Sequence, residues 1–210
     1  MTRYAVLADA AVANKCAQKS PAEFGGLSTN RAHDVASSNC YFCVSVRVGS
    51  EETFARKAEE FFFKNGEAFA RVVFLKKRMR LKSGKEYDEP FFPGYIFLEA
   101  GDWDAELFSP LKTLDGFCRF LPENLSPQAL SGHDEEIVKS ILAFGETIGI
   151  VPARFDENDR IVLVSGPFQG CEGKVVSVNR RNRRLNIQLD FMGGVKVVNL
   201  SYEEVARAET

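Results

Sequence analysis

The sequence predicts an α+β fold, a two-layer domain of one sheet with helices followed by a small all-β barrel. Three observations carry this. Up to residue 142, strand-like and helix-like segments follow one another in the order β, α, β, β, α, β, α. After residue 158 the chain becomes short alternating strands separated by turn signals, the pattern of a small barrel. Within the first region, the apolar run Phe91-Phe92-Pro93-Gly94-Tyr95-Ile96-Phe97-Leu98 cannot be a helix interior, because Pro93 lacks a backbone N–H and Gly94 is a poor helix former. The resulting division is a flexible N-terminal arm at 1–38, rich in Ala, Ser and Asn, a first domain at 39–145, a linker at 146–157 and a barrel at 158–208.

Taken in order, Cys40 to Val46 reads as the first strand. Ser50 can cap a helix, with Glu51 and Glu52 favourably placed at its positive end. Phe54, Ala58, Phe61 and Phe62 recur on one helical face, and Asn65-Gly66 ends that helix. Ala70 to Leu75 is a second strand. It runs into a hairpin with a cationic tip, Lys76-Lys77-Arg78-Met79-Arg80-Leu81-Lys82, turning at Ser83-Gly84. The next strand is Phe92 to Leu98. Alternation puts Phe92, Ile96 and Leu98 on one face and Pro93, Tyr95 and Phe97 on the other. A short helix over Ala105 to Leu111, a strand over Gly116 to Leu121 and a helix carrying Ile137, Val138, Ile141 and Leu142 complete the domain. Barrel strands follow at Asp159–Val164, Glu172–Val178, Leu185–Asp190 and Val195–Leu200, with the turn Gly193-Gly194 between the last two.

Composition narrows the function. Among 210 residues the formal net charge is −2, so a nucleic-acid site has to be a local basic patch. The five Cys are irregularly spaced and do not suggest a disulfide framework. Cys40 and Cys43 form one C-x-x-C without a second pair or a nearby His. They lie on opposite faces of a strand, which argues for small apolar residues in a reducing cytoplasm and against zinc. His33 and His133 are the only histidines, and no nucleophile–base pair stands out, which argues against an enzyme and gives no metal or cofactor site. No apolar run approaches a membrane span.

Both faces of the Phe91–Leu98 strand are apolar. Periodicity alone favours a strand buried on both sides, whereas helices on one side only would leave an aromatic face for a partner. Two basic clusters stand out: the hairpin set Lys76, Lys77, Arg78, Arg80 and Lys82, and the barrel turn Arg180, Arg181, Arg183 and Arg184. The hairpin also reads as a plain solvated tip. Four Arg within five positions repel one another unless an anion is present, and guanidinium groups fork onto phosphates and stack on bases. Lys174 and Lys196 extend this patch if neighbouring strands place them beside it.

Phe91-Phe92-Pro93-Gly94-Tyr95-Ile96-Phe97 resembles the F-P-G-Y core of the NusG amino-terminal (NGN) domain. The stretch from Asp159 to Val175, with Ser165-Gly166-Pro167-Phe168 and Gly170-Cys171-Glu172-Gly173, looks like a KOW motif. Together, in this order, they identify a resemblance to the NusG family over about residues 40–207. The resemblance implies an α/β-plait NGN-like domain, an SH3-like KOW barrel and a cytoplasmic, monomeric elongation or antitermination factor. It implies an RNA polymerase site for the clamp helices of the β′ subunit at Phe92, Pro93 and Tyr95, with Tyr41 and Phe42 as further candidates in the first strand. This reverses the preference for a strand buried on both sides. The hairpin would lie near upstream or non-template DNA, where clustered charge serves phosphates and not base reading. The barrel would meet an RNA hairpin, the termination factor Rho or a small-subunit ribosomal protein. The Arg cluster and the Phe191-Met192-Gly193-Gly194 turn lean toward a LoaP-like paralog that binds RNA, and the clean alternation argues against an RfaH-like fold-switching tail. A ribosome-associated KOW protein acting in translation is the alternative.

Overall fold

The computed structural model describes residues 40–64 and 70–205. The expected arm at 1–38 and the Asn65-Gly66 helix stop lie outside them. The architecture is α+β, as the sequence predicts.

A four-stranded antiparallel sheet forms the first layer, in the order β2 (Arg71–Val73), β5 (Tyr95–Ala100), β1 (Cys40–Val46), β6 (Phe117–Phe120). One face is covered by α1 (Glu51–Lys64) and the short α2 (Ala105–Phe108), which continues into a 3-10 turn at Ser109–Thr113. Phe54, Ala58 and Phe62, one helical stripe, bury against Phe42, Val44, Ile96 and Leu98. Asp104 caps α2 by accepting from Glu106 and Leu107 N–H at 2.8 and 3.3 Å.

The opposite face of the sheet is equally apolar. Tyr41, Cys43, Val73, Leu75, Phe91, Phe92 and Phe97 lie there, in one continuous core with the barrel and with α3 (Gly132–Leu142). The barrel sheet runs β10 (Val175–Asn179), β11 (Arg184–Phe191), β12 (Gly194–Glu204), β8 (Val151–Phe155), β9 (Ile161–Leu163). Leu185, Ile187, Leu189 and Phe191 alternate inward along β11. A third sheet pairs the hairpin strands β3 (Lys76–Arg80) and β4 (Glu86–Pro90) and adds the two-residue β7 (Thr147–Ile148) in parallel to β3.

Two expectations change. The stretch 146–157, read as a linker, contains β7, paired with Lys76 and Lys77, and β8, which runs parallel to the end of β12. Its backbone groups are taken up by neighbours on both sides, so it is structured connection rather than spacer. The strand expected from Phe92 begins only at Tyr95. Phe91-Phe92-Pro93-Gly94 forms a turn, which breaks the alternation and places Phe92 with Phe97, on the face opposite Ile96 and Leu98.

Candidate functional site

The turn that presents the aromatic residues is held from behind. Gly94 adopts φ +82°, a left-handed conformation that suits glycine, and a Cβ there would meet Val46 O and Val48 Cγ2, both at 3.3 Å. Its N–H donates to Glu51 Oε1 at 2.9 Å, and its carbonyl accepts from Val46 N–H at 2.9 Å. Glu51, expected only to favour the helix start, is a buried carboxylate that also accepts from Gly49 N–H at 2.6 Å. One side chain therefore ties the N-terminus of α1 to the Phe-Pro-Gly turn.

On this turn the Phe91 and Phe92 rings stack on rings of the barrel, within a core that α3 shares. Phe191 stacks parallel on Phe92 with centroids 4.3 Å apart, and Phe168 stacks on Phe91 at 5.8 Å. Phe92 is 3% exposed. Tyr95 remains half-buried, with Lys196 Nζ 5.2 Å from its ring centroid and 3.5 Å from its hydroxyl. Asp134 of α3 accepts from Met192 N–H at 2.8 Å and pins the β11–β12 turn from the other side. Beside Tyr95 an open hollow of about 390 Å³ is lined by Cys43, Leu121, Leu130 and Met192, among others.

Of the five aromatic-site candidates, Phe92 and Tyr95 share this surface, Pro93 is exposed between them, and Tyr41 lies on the same side of the sheet, donating to Glu99 at 3.3 Å. Burial first, then the Glu99 carboxylate, pushes the Tyr41 phenol up. Phe42 does not belong. Alternation along β1 turns it to the helix side, where it packs against Trp103 and Phe108. Burial likewise pushes the Cys43 thiol up, so it stays protonated and apolar rather than a ready metal ligand.

The hairpin is less basic than its sequence. Cross-strand register sets Lys77 opposite Glu89, Arg78 opposite Asp88 and Arg80 opposite Glu86, and each pair forms an ion pair. Lys77 is 7% exposed, and burial lowers its ammonium pKa, so it is not a phosphate contact. The Arg78 guanidinium holds the Asp88 carboxyl below its usual range. Lys76 lies over Phe74. Lys82 stays exposed at the tip.

At the barrel turn, Arg180 is ion-paired with Asp159 and stacks over Phe155, and Arg184 donates to Arg80 O at 2.9 Å. Arg181 and Arg183 are exposed. Lys174 and Lys196 do not extend this patch. Lys174 lines a small hollow with His133 and Glu136, and Lys196 sits at Tyr95. The residues that sequence reasoning missed are Phe168 and Phe191. Each stood in a turn motif, and an apolar ring at a turn was the available signal.

The fold is a helix-backed sheet whose second apolar face is closed by a small β-barrel and α3. The family model described as transcription termination factor NusG matches residues 39–139. A NusG transcription termination/antitermination protein of Streptococcus pyogenes is 29% identical over 124 residues, 58% of this chain and 67% of its own. The protein of the same description from Thermus thermophilus is 24% identical over 183 residues, 80% of this chain and 98% of its own. A Thermotoga maritima NusG structure described by its domain interaction aligns over 80% of this chain and 96% of its own, with TM-score 0.52 at 18% identity, and shares the fold. Over residues 39–139 the chain is similar to the NusG family.

Proposed function

We propose that this chain is a transcription elongation and antitermination factor that binds RNA polymerase through the face around Phe92, Pro93 and Tyr95, with Tyr41 behind it. The observation that carries the reading is the second face of the four-stranded sheet. It is as apolar as the first, and its cover is the barrel together with α3, not α1 and α2. A greasy surface closed by a separable part of the same chain is one that a partner can take over. The polymerase element it fits is an exposed helical pair, the clamp helices of β′, and the barrel has to leave before they dock.

The hairpin then lies toward upstream or non-template DNA, with Lys76 and Lys82 as its contacts and the paired Arg78 and Arg80 setting its shape. The barrel turn with Arg180, Arg181, Arg183 and Arg184 takes nucleic acid, an RNA hairpin among the candidates. Once released, the barrel also offers a surface to Rho or to a small-subunit ribosomal protein. Such a factor makes and breaks no bond. It acts by binding the elongating state more tightly than its alternatives.

The test is capture of purified core polymerase by the full chain. Tyr95→Ala is expected to weaken capture by at least about tenfold, since a central aromatic anchor is typically worth about 2 kcal/mol, while the fold is retained by circular dichroism. Undiminished capture would reject the site. Co-sedimentation with ribosomes and no polymerase capture by the unsubstituted chain would favour the translation-side alternative.

A further inference from the structure

We propose that the hairpin tip and the barrel's arginine turn form one cleft for the phosphodiester backbone of single-stranded nucleic acid, complete only while the barrel is docked. This rests on the reading of the arginine turn as a nucleic-acid contact and deepens it.

Most cations of the hairpin, and Arg180 and Arg184 of the barrel turn, are already neutralised or engaged. Asp88, Glu86, Glu89 and Asp159 pair with Arg78, Arg80, Lys77 and Arg180, and Glu203 lies 3.6 Å from Arg80. Lys82, Arg181 and Arg183 make no ion pair among the described residues, and all three are exposed. Segments about a hundred positions apart in sequence bring them to a single cleft of about 370 Å³, floored by Leu81, Ser201 and Tyr202. Three cations without counter-charge around one hollow produce a field that an anion relieves.

Geometry holds the two walls together. Arg80 N–H donates to the buried Ser201 hydroxyl at 3.0 Å, and Arg184 Nη2 donates to Arg80 O at 2.9 Å. Arg183 closes a 3-10 turn in the left-handed region (φ 50°, ψ 52°), and its carbonyl accepts from Tyr202 N–H at 3.0 Å, so the arginine turn is fixed against β12. Asn182 belongs both to this cleft and to a second groove of about 750 Å³ on the open face of the barrel sheet. Along that groove Asn199 Nδ2 donates to Asn186 Oδ1 at 2.7 Å, and Asn186 Nδ2 donates to Ser177 Oγ at 2.8 Å. A row of amides and a hydroxyl offers donors and acceptors to unstacked base edges, which single strands present and duplexes conceal. Phosphates in the first cleft and bases along the second groove fit one strand.

Because the cleft has walls from both domains, its ligand binds the docked arrangement more tightly and stabilises it. A partner that takes the Phe92–Tyr95 face binds the undocked arrangement, so the two ligands oppose each other by the same factor.

The experiment measures anisotropy of a fluorescein-labelled 12-nucleotide single-stranded RNA with the full chain across a salt series. Arg181→Glu/Arg183→Glu and Lys82→Glu are each expected to weaken binding by at least about fourfold near physiological salt, and each cation lost should lower the salt slope by about 0.7. Phe191→Ala, which undocks the barrel, should weaken binding and remove the effect of Lys82→Glu. If Lys82→Glu changes nothing while the arginine variant still weakens binding, the composite cleft is overturned and the arginine-turn reading survives. If neither variant weakens binding, the arginine turn is no nucleic-acid site and both fail.

Discussion

Phe191→Ala is expected to raise the affinity for polymerase, although it removes an apolar contact and no polymerase contact. Phe191 ends the inward row of β11 and reaches onto Phe92, stacked at 4.3 Å, and stands at an angle to Phe97 at 6.1 Å. Truncating it forfeits the stacking, about 0.5–1.5 kcal/mol, together with part of the burial of a large ring, about 1.5–3 kcal/mol. The docked arrangement loses this and the undocked one does not, so the balance moves toward undocked by roughly 2 kcal/mol, or about 30-fold. When the competent form is a minority, apparent affinity rises in proportion to its population. Phe168→Ala should act in the same direction through the Phe91 stack and guards against a local fault in the barrel. Tyr95→Ala provides the contrast: it also loosens the barrel, by removing the ring under Lys196, yet it must lower polymerase affinity. Opposite signs from two substitutions on one contact surface are what intramolecular competition requires. Equal losses from both would mean that the barrel supports the polymerase site.

Glu51→Ala is expected to damage both the stability of the first domain and the partner face. The carboxylate is buried and accepts from Gly94 and Gly49 N–H, so its removal leaves the buried Gly94 donor without a partner, a cost of about 1–3 kcal/mol. Glu51→Gln keeps an accepting oxygen and should cost less. Gly94→Ala tests the same turn from the other side. The left-handed backbone costs an L-residue about 1–2 kcal/mol, and the new methyl group would press on Val46 O and Val48. The only tryptophan, Trp103, packs among Phe42, Phe108 and Phe120, so its fluorescence reports unfolding of this domain directly. A denaturation midpoint unchanged in Glu51→Ala would mean that the turn is held by something else.

Much of this was legible in the residues. β1 runs from Cys40 to Val46, the bounds read from the sequence, and α1 buries Phe54, Ala58 and Phe62 as one stripe. What local pattern could not supply was tertiary. Pro93-Gly94 reset the alternation, so Phe92 changed face. β7 is two residues long and exists because the hairpin strand accepts it, which no period in 146–157 announces. The hairpin charge was counted along the chain, whereas register sets Glu86, Asp88 and Glu89 opposite Arg80, Arg78 and Lys77. Lys77 shares an inward face with Met79, a signal that alternation carried and that counting obscured. Phe42 was placed with Tyr41 because the resemblance puts aromatics in the first strand, but neighbours along a strand face opposite ways. The docking of Phe168 and Phe191 joins residues far apart in sequence from Phe91 and Phe92, and only the folded chain brings them together.

The central claim is that the barrel occupies the face a partner needs and leaves when the partner arrives. Spin labels at two exposed positions, Phe63 on α1 and Val176 on the barrel, with Cys118 replaced by serine, report the distance between the two domains. The free chain should give one narrow distance distribution, and saturating core polymerase should replace it with a longer and broader one. A narrow distribution at the same distance in the polymerase complex would mean that the barrel never leaves, and that Phe92 belongs to the interior of the protein and not to its partner.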